Sequence, residues 1–194
     1  MSLIFTLRSR RVLEMAETVA KDVGRDYIAP IDLLLACTRI DGSIAQSILN
    51  DLGILDVALT QHLQTLPKEE TKVYVYPLRE IKIGMNEASR RAITHSQASA
   101  TEQGLYYIGT EHLLEGILQT KDATVLKVLA NYHILVKELL EQIQAYKTLP
   151  KPSQPETEYS KRVRQTLKKT KPQTPSLWNQ FITHIQEFLE TIKQ

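Results

Sequence analysis

An all-α fold made of two tandem four-helix repeats is predicted by three observations. First, Tyr27-Ile28-Ala29-Pro30-Ile31-Asp32-Leu33-Leu34-Leu35-Ala36 returns eighty positions later as Tyr107-Ile108-Gly109-Thr110-Glu111-His112-Leu113-Leu114-Glu115-Gly116. Second, the same shift carries Arg10-Arg11 onto Arg90-Arg91, Gly24 onto Gly104, Leu49 onto Leu129 and Ile54 onto Ile134. Third, apolar residues in each copy recur at three- and four-residue steps, the period of an amphipathic helix. A register held over roughly fifty residues marks an internal repeat whose units pack on one another. The expected architecture is a pseudo-twofold eight-helix domain followed by a linker and a C-terminal amphipathic helix.

Copy one spans residues 3–66. Val12, Met15, Ala16, Val19 and Val23 form one apolar stripe, so Phe5 to Val23 reads as a helix. Gly24 stands where a left-handed residue would end it. Pro30 suits the first position of the next helix, where its missing N–H costs nothing. Leu33, Leu34, Leu35 and Ala36 make that helix apolar on most sides and predict a buried central position. Asp41-Gly42-Ser43 reads as a turn, with Ser43 capping a short helix through Ile44, Ile48, Leu49 and Leu52. Gly53 can end that helix. Leu55, Leu59, Leu63 and Leu66 predict a fourth from Ile54 to Leu66.

Residues 68–80 link the copies, with little regular structure expected beyond one short strand near Val73-Tyr74-Val75-Tyr76 before Pro77. Copy two spans 81–147, with helices predicted from Ile83 to Glu102, Thr110 to Gln119, Ala123 to Ala130 and Leu135 to Tyr146. Thr110 and Asp122 are the expected N-caps. The halves differ in chemistry. Val12, Ala16, Val19 and Val23 become Ala92, Ser96, Ser99 and Gln103, and Met15 becomes His95. The first helix of copy two therefore has a smaller, more polar inner face. Gly53 becomes His133, which costs strain if the left-handed geometry is kept. Copy two is the expected looser half.

Composition closes several routes. Net charge is +2, too small for a global pull toward nucleic acid. No apolar run approaches the ~20 residues of a membrane span. The start Met1-Ser2-Leu3-Ile4 lacks the features of a signal peptide. Cys37 is the single cysteine, so no intrachain disulfide forms, which fits a reducing cytosol. Its place in an apolar helix predicts a small core residue rather than a nucleophile. His62, His95, His112, His133 and His184 show no close ligand spacing and no His-Glu-x-x-His, so no metal is expected. Neither a nucleophile elbow nor an acid–base constellation emerges, so no catalytic residue and no cofactor is assigned. Arg10-Arg11 and Arg90-Arg91 are read as surface arginines paired with nearby carboxylates, the alternative being a phosphate or acidic partner.

With these residues in view, the chain resembles the N-terminal domain of Clp/Hsp100 chaperones, especially the ClpA and ClpC type. Tyr107-Ile108-Gly109-Thr110-Glu111-His112-Leu113-Leu114 matches that signature residue for residue. Copy one matches through Tyr27, Ile28, Leu33, Leu34, Leu35, Leu52, Gly53 and Ile54, but has Ala29-Pro30-Ile31-Asp32 in place of Gly-Thr-Glu-His. The resemblance covers residues 3–147. It implies a docking platform that receives adaptors and substrates for an ATP-driven ring. In the ClpC branch it further implies recognition of phosphorylated arginine by the acidic residue of this block. A helix N-terminus attracts an anion and a carboxylate pairs a guanidinium. Copy two alone keeps that residue, so at most one such pocket is expected, at Thr110 and Glu111. The competing reading of this pair is local capping and dipole complementation.

The full chaperones continue into ATPase modules. No Gly-x-x-x-x-Gly-Lys-Ser/Thr occurs here, and the length leaves no room for such a module, so the expected protein is not itself an unfoldase.

Residues 148–175 form a Pro-rich and basic linker. Its segment from Lys161 to Lys171 holds six cations in eleven residues and no interleaved aromatics, so base-stacking recognition is not expected. Residues 176–194 read as an amphipathic helix whose apolar face contains Leu177, Trp178, Phe181, Ile182, Ile185, Phe188, Leu189 and Ile192. Leu177, Trp178, Phe181, Ile185, Phe188 and Leu189 are the expected partner-binding residues. Three readings stay open: folding back on the repeats, docking in a partner's groove, or lying on a membrane.

The function expected is a non-enzymatic accessory of the Clp system, with the Clp ATPase, the Clp peptidase core, adaptors or substrate proteins as partners. A domain of this kind standing alone also helps assemble the protease core in plant plastids. No transit peptide is evident, so a bacterial cytoplasm is preferred over a plastid stroma. The alternative is a regulator that reuses the fold, its basic tail and amphipathic helix contacting DNA or an anionic membrane.

Overall fold

The computed structural model describes residues 4–54, 56, 59–60, 72–75 and 81–148. They divide at Ile143 into a compact unit before it and a second unit beginning at Gln144, of which only the end of one helix is described. The linker 149–175 and the predicted tail helix lie outside the described residues, as does most of the helix predicted from Ile54 to Leu66. Of that helix Asp56, Leu59 and Thr60 are described and are helical.

In copy one, β1 (Ile4–Phe5) leads into α1 (Leu7–Asp22), and β2 (Tyr27–Ile28) leads into α2 (Pro30–Arg39) and α3 (Ile44–Asp51). β3 (Val73–Tyr74) lies between the copies. In copy two, β4 (Gly84–Asn86) leads into α4 (Glu87–Glu102), and β5 (Tyr107–Ile108) into α5 (Thr110–Gln119), α6 (Ala123–Asn131) and α7 (Val136–Thr148). The helical prediction holds, with two corrections at helix starts. Phe5 is in a strand and α1 begins at Leu7, and the helix expected from Ile83 begins at Glu87 because Gly84–Asn86 is extended. Thr6 and Asn86 are the caps that set these starts, accepting from the N–H groups of Ser9 and Ser89 at 3.2 and 2.8 Å. Ser43 and Asp122 cap α3 and α6 as expected.

The short strands join the copies. β1 pairs in parallel with β5, Ile4 opposite Tyr107 and Phe5 opposite Ile108. β2 pairs in parallel with β4, Tyr27 opposite Gly84 and Ile28 opposite Met85. Adding eighty to Ile4 gives Gly84, and subtracting eighty from Tyr107 gives Tyr27, so the pairings are two images of one contact. That reciprocity is the pseudo-twofold relation. β3 adds antiparallel to β4, as the short strand expected in the linker.

The core lies between the two central helices. Every residue of α2 from Pro30 to Thr38 and of α5 from Thr110 to Leu118 is buried. α1 and α3 pack on α2, and α4 packs along α5, with α2 and α5 also in contact. Leu33, Leu34, Leu113 and Leu114 are sealed from water, each such side chain contributing about 1.5–3 kcal/mol relative to exposure. Cys37 is part of this core; burial pushes its thiol up to about 12, so no thiolate forms at neutral pH.

Gly24, Gly53 and His133 all have the left-handed backbone expected for helix ends, with φ of 72°, 75° and 56°. His133 therefore carries the strain that glycine avoids at the equivalent position.

Candidate docking site

The starts of α2 and α5 are equivalent, and the repeat has furnished them differently. In copy one, Asp32 is the third helical residue. Its carboxylate accepts the Ala29 N–H at 2.8 Å and is ion-paired with Arg25. Both side chains are withdrawn from water. Burial pushes Asp32 up to about 6, outweighing Arg25's charge and the Ala29 N–H, which both act downward. In copy two, Leu105 replaces Arg25 and His112 replaces Asp32. The Gly109 N–H donates to His112 Nδ1 at 2.9 Å, so an imidazole takes over the capping task without a buried charge. His112 is thus a buried helix residue held by a hydrogen bond to the cap.

Glu111 is 8% exposed. Its carboxylate bends back over Gly109, where a Cβ would collide with it. Glycine at 109, against alanine at 29, is what admits this conformation. Glu111 Oε1 lies 3.5 Å from His112 Nδ1. That nitrogen already accepts the Gly109 N–H, so the approach is a polar contact rather than an ion pair. Tyr107 is 37% exposed and gives the block a solvent-facing side. Burial, then the charge of Glu111, raises its phenol above the ordinary range.

Thr110 is the first helical residue, as predicted, but the cap is Gly109 rather than Thr110. Its hydroxyl instead accepts the Ala45 N–H at 3.3 Å, at the start of α3 in the other copy. Thr110 therefore ties α5 to α3 across the pseudo-twofold axis. Pro30, its counterpart, has no hydroxyl with which to return the contact. Thr110 and Glu111 are sequence neighbours that face different partners.

A second polar pair inside copy two escaped the sequence reading. Ser99 on α4 donates to Glu115 on α5 at 2.5 Å, and both are buried. Copy one has Val19 and Leu35 there, also buried. The sequence signal for this pair is that Leu35 becomes Glu115 where Val19 becomes Ser99. At the next residue of α5, Gly116 lets the helix approach α4 so closely that a Cβ would meet the Ala92 carbonyl and Ser96.

Of the repeated arginine pairs, Arg90 binds Glu87 at 3.0 Å and lies 4.9 Å from the Tyr74 ring centroid. Among the described residues, no group of three or more His, Cys, Asp or Glu side chains could hold a metal ion. No helix among them is long and apolar enough to cross a membrane. Leu177, Trp178, Phe181, Ile185, Phe188 and Leu189, the predicted tail contacts, lie outside the described residues.

Reciprocal strand pairing, two buried central helices and a Gly-Thr-Glu-His helix start define a double helical repeat of the Clp N-domain class. The chain belongs to the Clp repeat (R) N-terminal domain family, which it matches over residues 4–87 and again over 84–189. It is 29% identical over 153 residues to a probable ATP-dependent Clp protease ATP-binding subunit of Chlamydia pneumoniae, a match covering 77% of this chain and 18% of that protein. It is 25% identical over 142 residues to the negative regulator of genetic competence ClpC/MecB of Bacillus subtilis, covering 72% and 16%. The chain thus spans less than a fifth of these relatives. Among solved structures, the N-terminal domain of ClpD from Arabidopsis thaliana superposes with a TM-score of 0.61 at 17% identity, covering 73% of this chain and 93% of that one. The Hsp104 N-terminal domain from Candida albicans gives 0.59 at 16% identity, covering 75% and 92%.

Proposed function

We propose that this chain is a non-enzymatic docking protein of the Clp system that binds adaptors or substrate polypeptides. The observation that carries the reading is the Clp N-terminal match across both repeats. Binding is then performed without nucleotide chemistry in these residues, and a Clp ATPase or peptidase core is the partner that would use the bound polypeptide. The compartment proposed is a bacterial cytoplasm, with a plastid stroma as the alternative, since bacterial and chloroplast Clp proteins are both among the relatives. The apolar residues of the tail, Trp178 and Phe181 among them, are proposed as a second contact. Affinity capture with the full chain from native cytosol is expected to recover Clp subunits or adaptors. Repeated absence of both refutes the proposal, and turnover of any substrate by the purified protein refutes its non-enzymatic part.

Within this reading, the start of α5, at Thr110 and Glu111, is the docking position for a peptide or a phospho-arginine side chain. Its support is a carboxylate beside a helix N-terminus with the half-exposed Tyr107 at its edge. Glu111 must turn outward from Gly109 to meet a guanidinium. A phospho-arginine peptide is expected to bind wild type more tightly than Glu111→Ala; equal affinity, or none in either, leaves Glu111 a capping residue only.

A further inference from the structure

The two small sheets correspond under the eighty-residue shift but are not equally complete. β4 has β2 on one side and β3 on the other. β1, its counterpart, has β5 on one side and, among the described residues, no strand on the other. On β4 the chain covers with its own Val73 and Tyr74 an edge that the described residues leave open on β1. The N–H groups of Ile4 and Thr6 donate toward β5, to the carbonyls of Tyr106 and Ile108 at 3.3 and 3.0 Å. Strand alternation then turns the N–H and C=O of Phe5 to the open side. Ile4 and Leu7, at 61% and 67% exposed, flank that edge. Such an edge is a template for another strand.

The occupied edge shows what an occupant needs. Tyr74 stands opposite Met85, the counterpart of Phe5, and its ring lies over Arg90, the counterpart of Arg10. Gly84 is bare because a Cβ there would strike Val73 and the Tyr74 carbonyl. β1 has Ile4 at that position, so its occupant needs a small residue where β3 has Val73. Continuing the register by one residue sets Lys72 against Glu87. In copy one the counterpart of Glu87 is Leu7, the first turn of α1 holds no acid, and Arg8 and Arg11 are exposed beside it. An acidic residue fits there in place of Lys72.

We infer that the outer edge of β1 binds an extended segment of a partner polypeptide by antiparallel strand addition, the segment reading acidic, small, aromatic. Main-chain hydrogen bonds to Phe5 hold it, and the flanking residues select it. The inference rests on the polypeptide-docking reading and adds to it a site and a binding mode.

The probe is the peptide acetyl-Thr-Glu-Gly-Tyr-Val-Thr-amide, titrated into the full chain. Binding is expected to move the Phe5 amide resonance. N-methylation of the peptide's tyrosine amide, which faces Phe5, is expected to weaken binding about tenfold, whereas N-methylation of the glycine amide, which faces away, leaves it within about twofold. Valine in place of glycine is expected to weaken binding to wild type, and Ile4→Gly to restore it. No binding at millimolar peptide, or indifference to the methylated position, overturns the inference. So does protection of the Phe5 amide without peptide, whether in a dimer seen by sedimentation, where a second copy holds the edge, or relieved by removing residues 149–194, where the chain's own tail does. A chain that captures Clp subunits yet ignores the peptide keeps the docking reading and loses this site. A chain that binds the peptide in this way yet captures nothing keeps the site and loses the Clp partner.

Discussion

Asp32 is fully buried, pairs with Arg25 and caps α2, yet its carboxyl is held at about 6 rather than the 3.8 of an unperturbed aspartate. Raised in the folded state, it makes its full stabilising contribution below pH 3.8, and that contribution is lost as pH rises through about 6. Relative to Asp32→Asn, wild type is therefore expected to lose on the order of 3 kcal/mol of stability between pH 4 and pH 7, read by chemical denaturation at several pH values. A flat difference across that window contradicts the assignment. The Ser99–Glu115 pair makes a second residue-level prediction. Ser99→Val alone takes a hydroxyl from a buried carboxylate and is expected to cost about 1–3 kcal/mol. Ser99→Val with Glu115→Leu restores the apolar pair of copy one and is expected to recover most of that loss, since well-packed apolar residues replace buried polar pairs at little cost. Additive losses in the double variant would show that Glu115 is held by its other surroundings.

Helix ends tell a parallel story at the level of elements. α3 ends in Gly53 and α6 ends near His133, and both residues take the same left-handed conformation. His133→Gly is expected to raise stability by about 1 kcal/mol, seen as a higher denaturation midpoint with an unchanged slope, because the Cβ penalty disappears. No gain would mean that His133 makes contacts worth as much as its strain. The starts of elements were harder to read. α1 and α4 each begin later than their apolar pattern suggests, because a few residues before each cap pair with a strand of the other copy. Two- and three-residue strands are too short to show a period of two, and their partners lie far away along the chain. Thr110 shows the same limit. A threonine ahead of an apolar run signals a helix start, but nothing local reveals that its hydroxyl serves α3.

For the whole molecule, reciprocal pairing makes each copy complete the other's sheet. Neither half buries its own strands or its central helix alone, so unfolding of the described domain is expected to be a single transition. Far-ultraviolet circular dichroism and tyrosine fluorescence should give coincident curves, and a polypeptide of residues 1–66 alone should lack the stable helix content of the intact chain. Two separated transitions would show that the copies fold independently. By itself, the sequence determined the double repeat, the helical class, the buried α2 and the left-handed helix ends, because each of these is written in local period, spacing or residue type; the family was legible through the resemblance of the Tyr107–Leu114 block. Only the tertiary structure decided which side chains meet. It set Asp32 against Arg25, Glu115 against Ser99 and Thr110 against α3, and it covered the edge of β4 while leaving that of β1 open among the described residues. Those contacts join residues brought together by packing, and a hydrogen bond or a buried charge depends on distance in space, which periodicity along a chain does not encode.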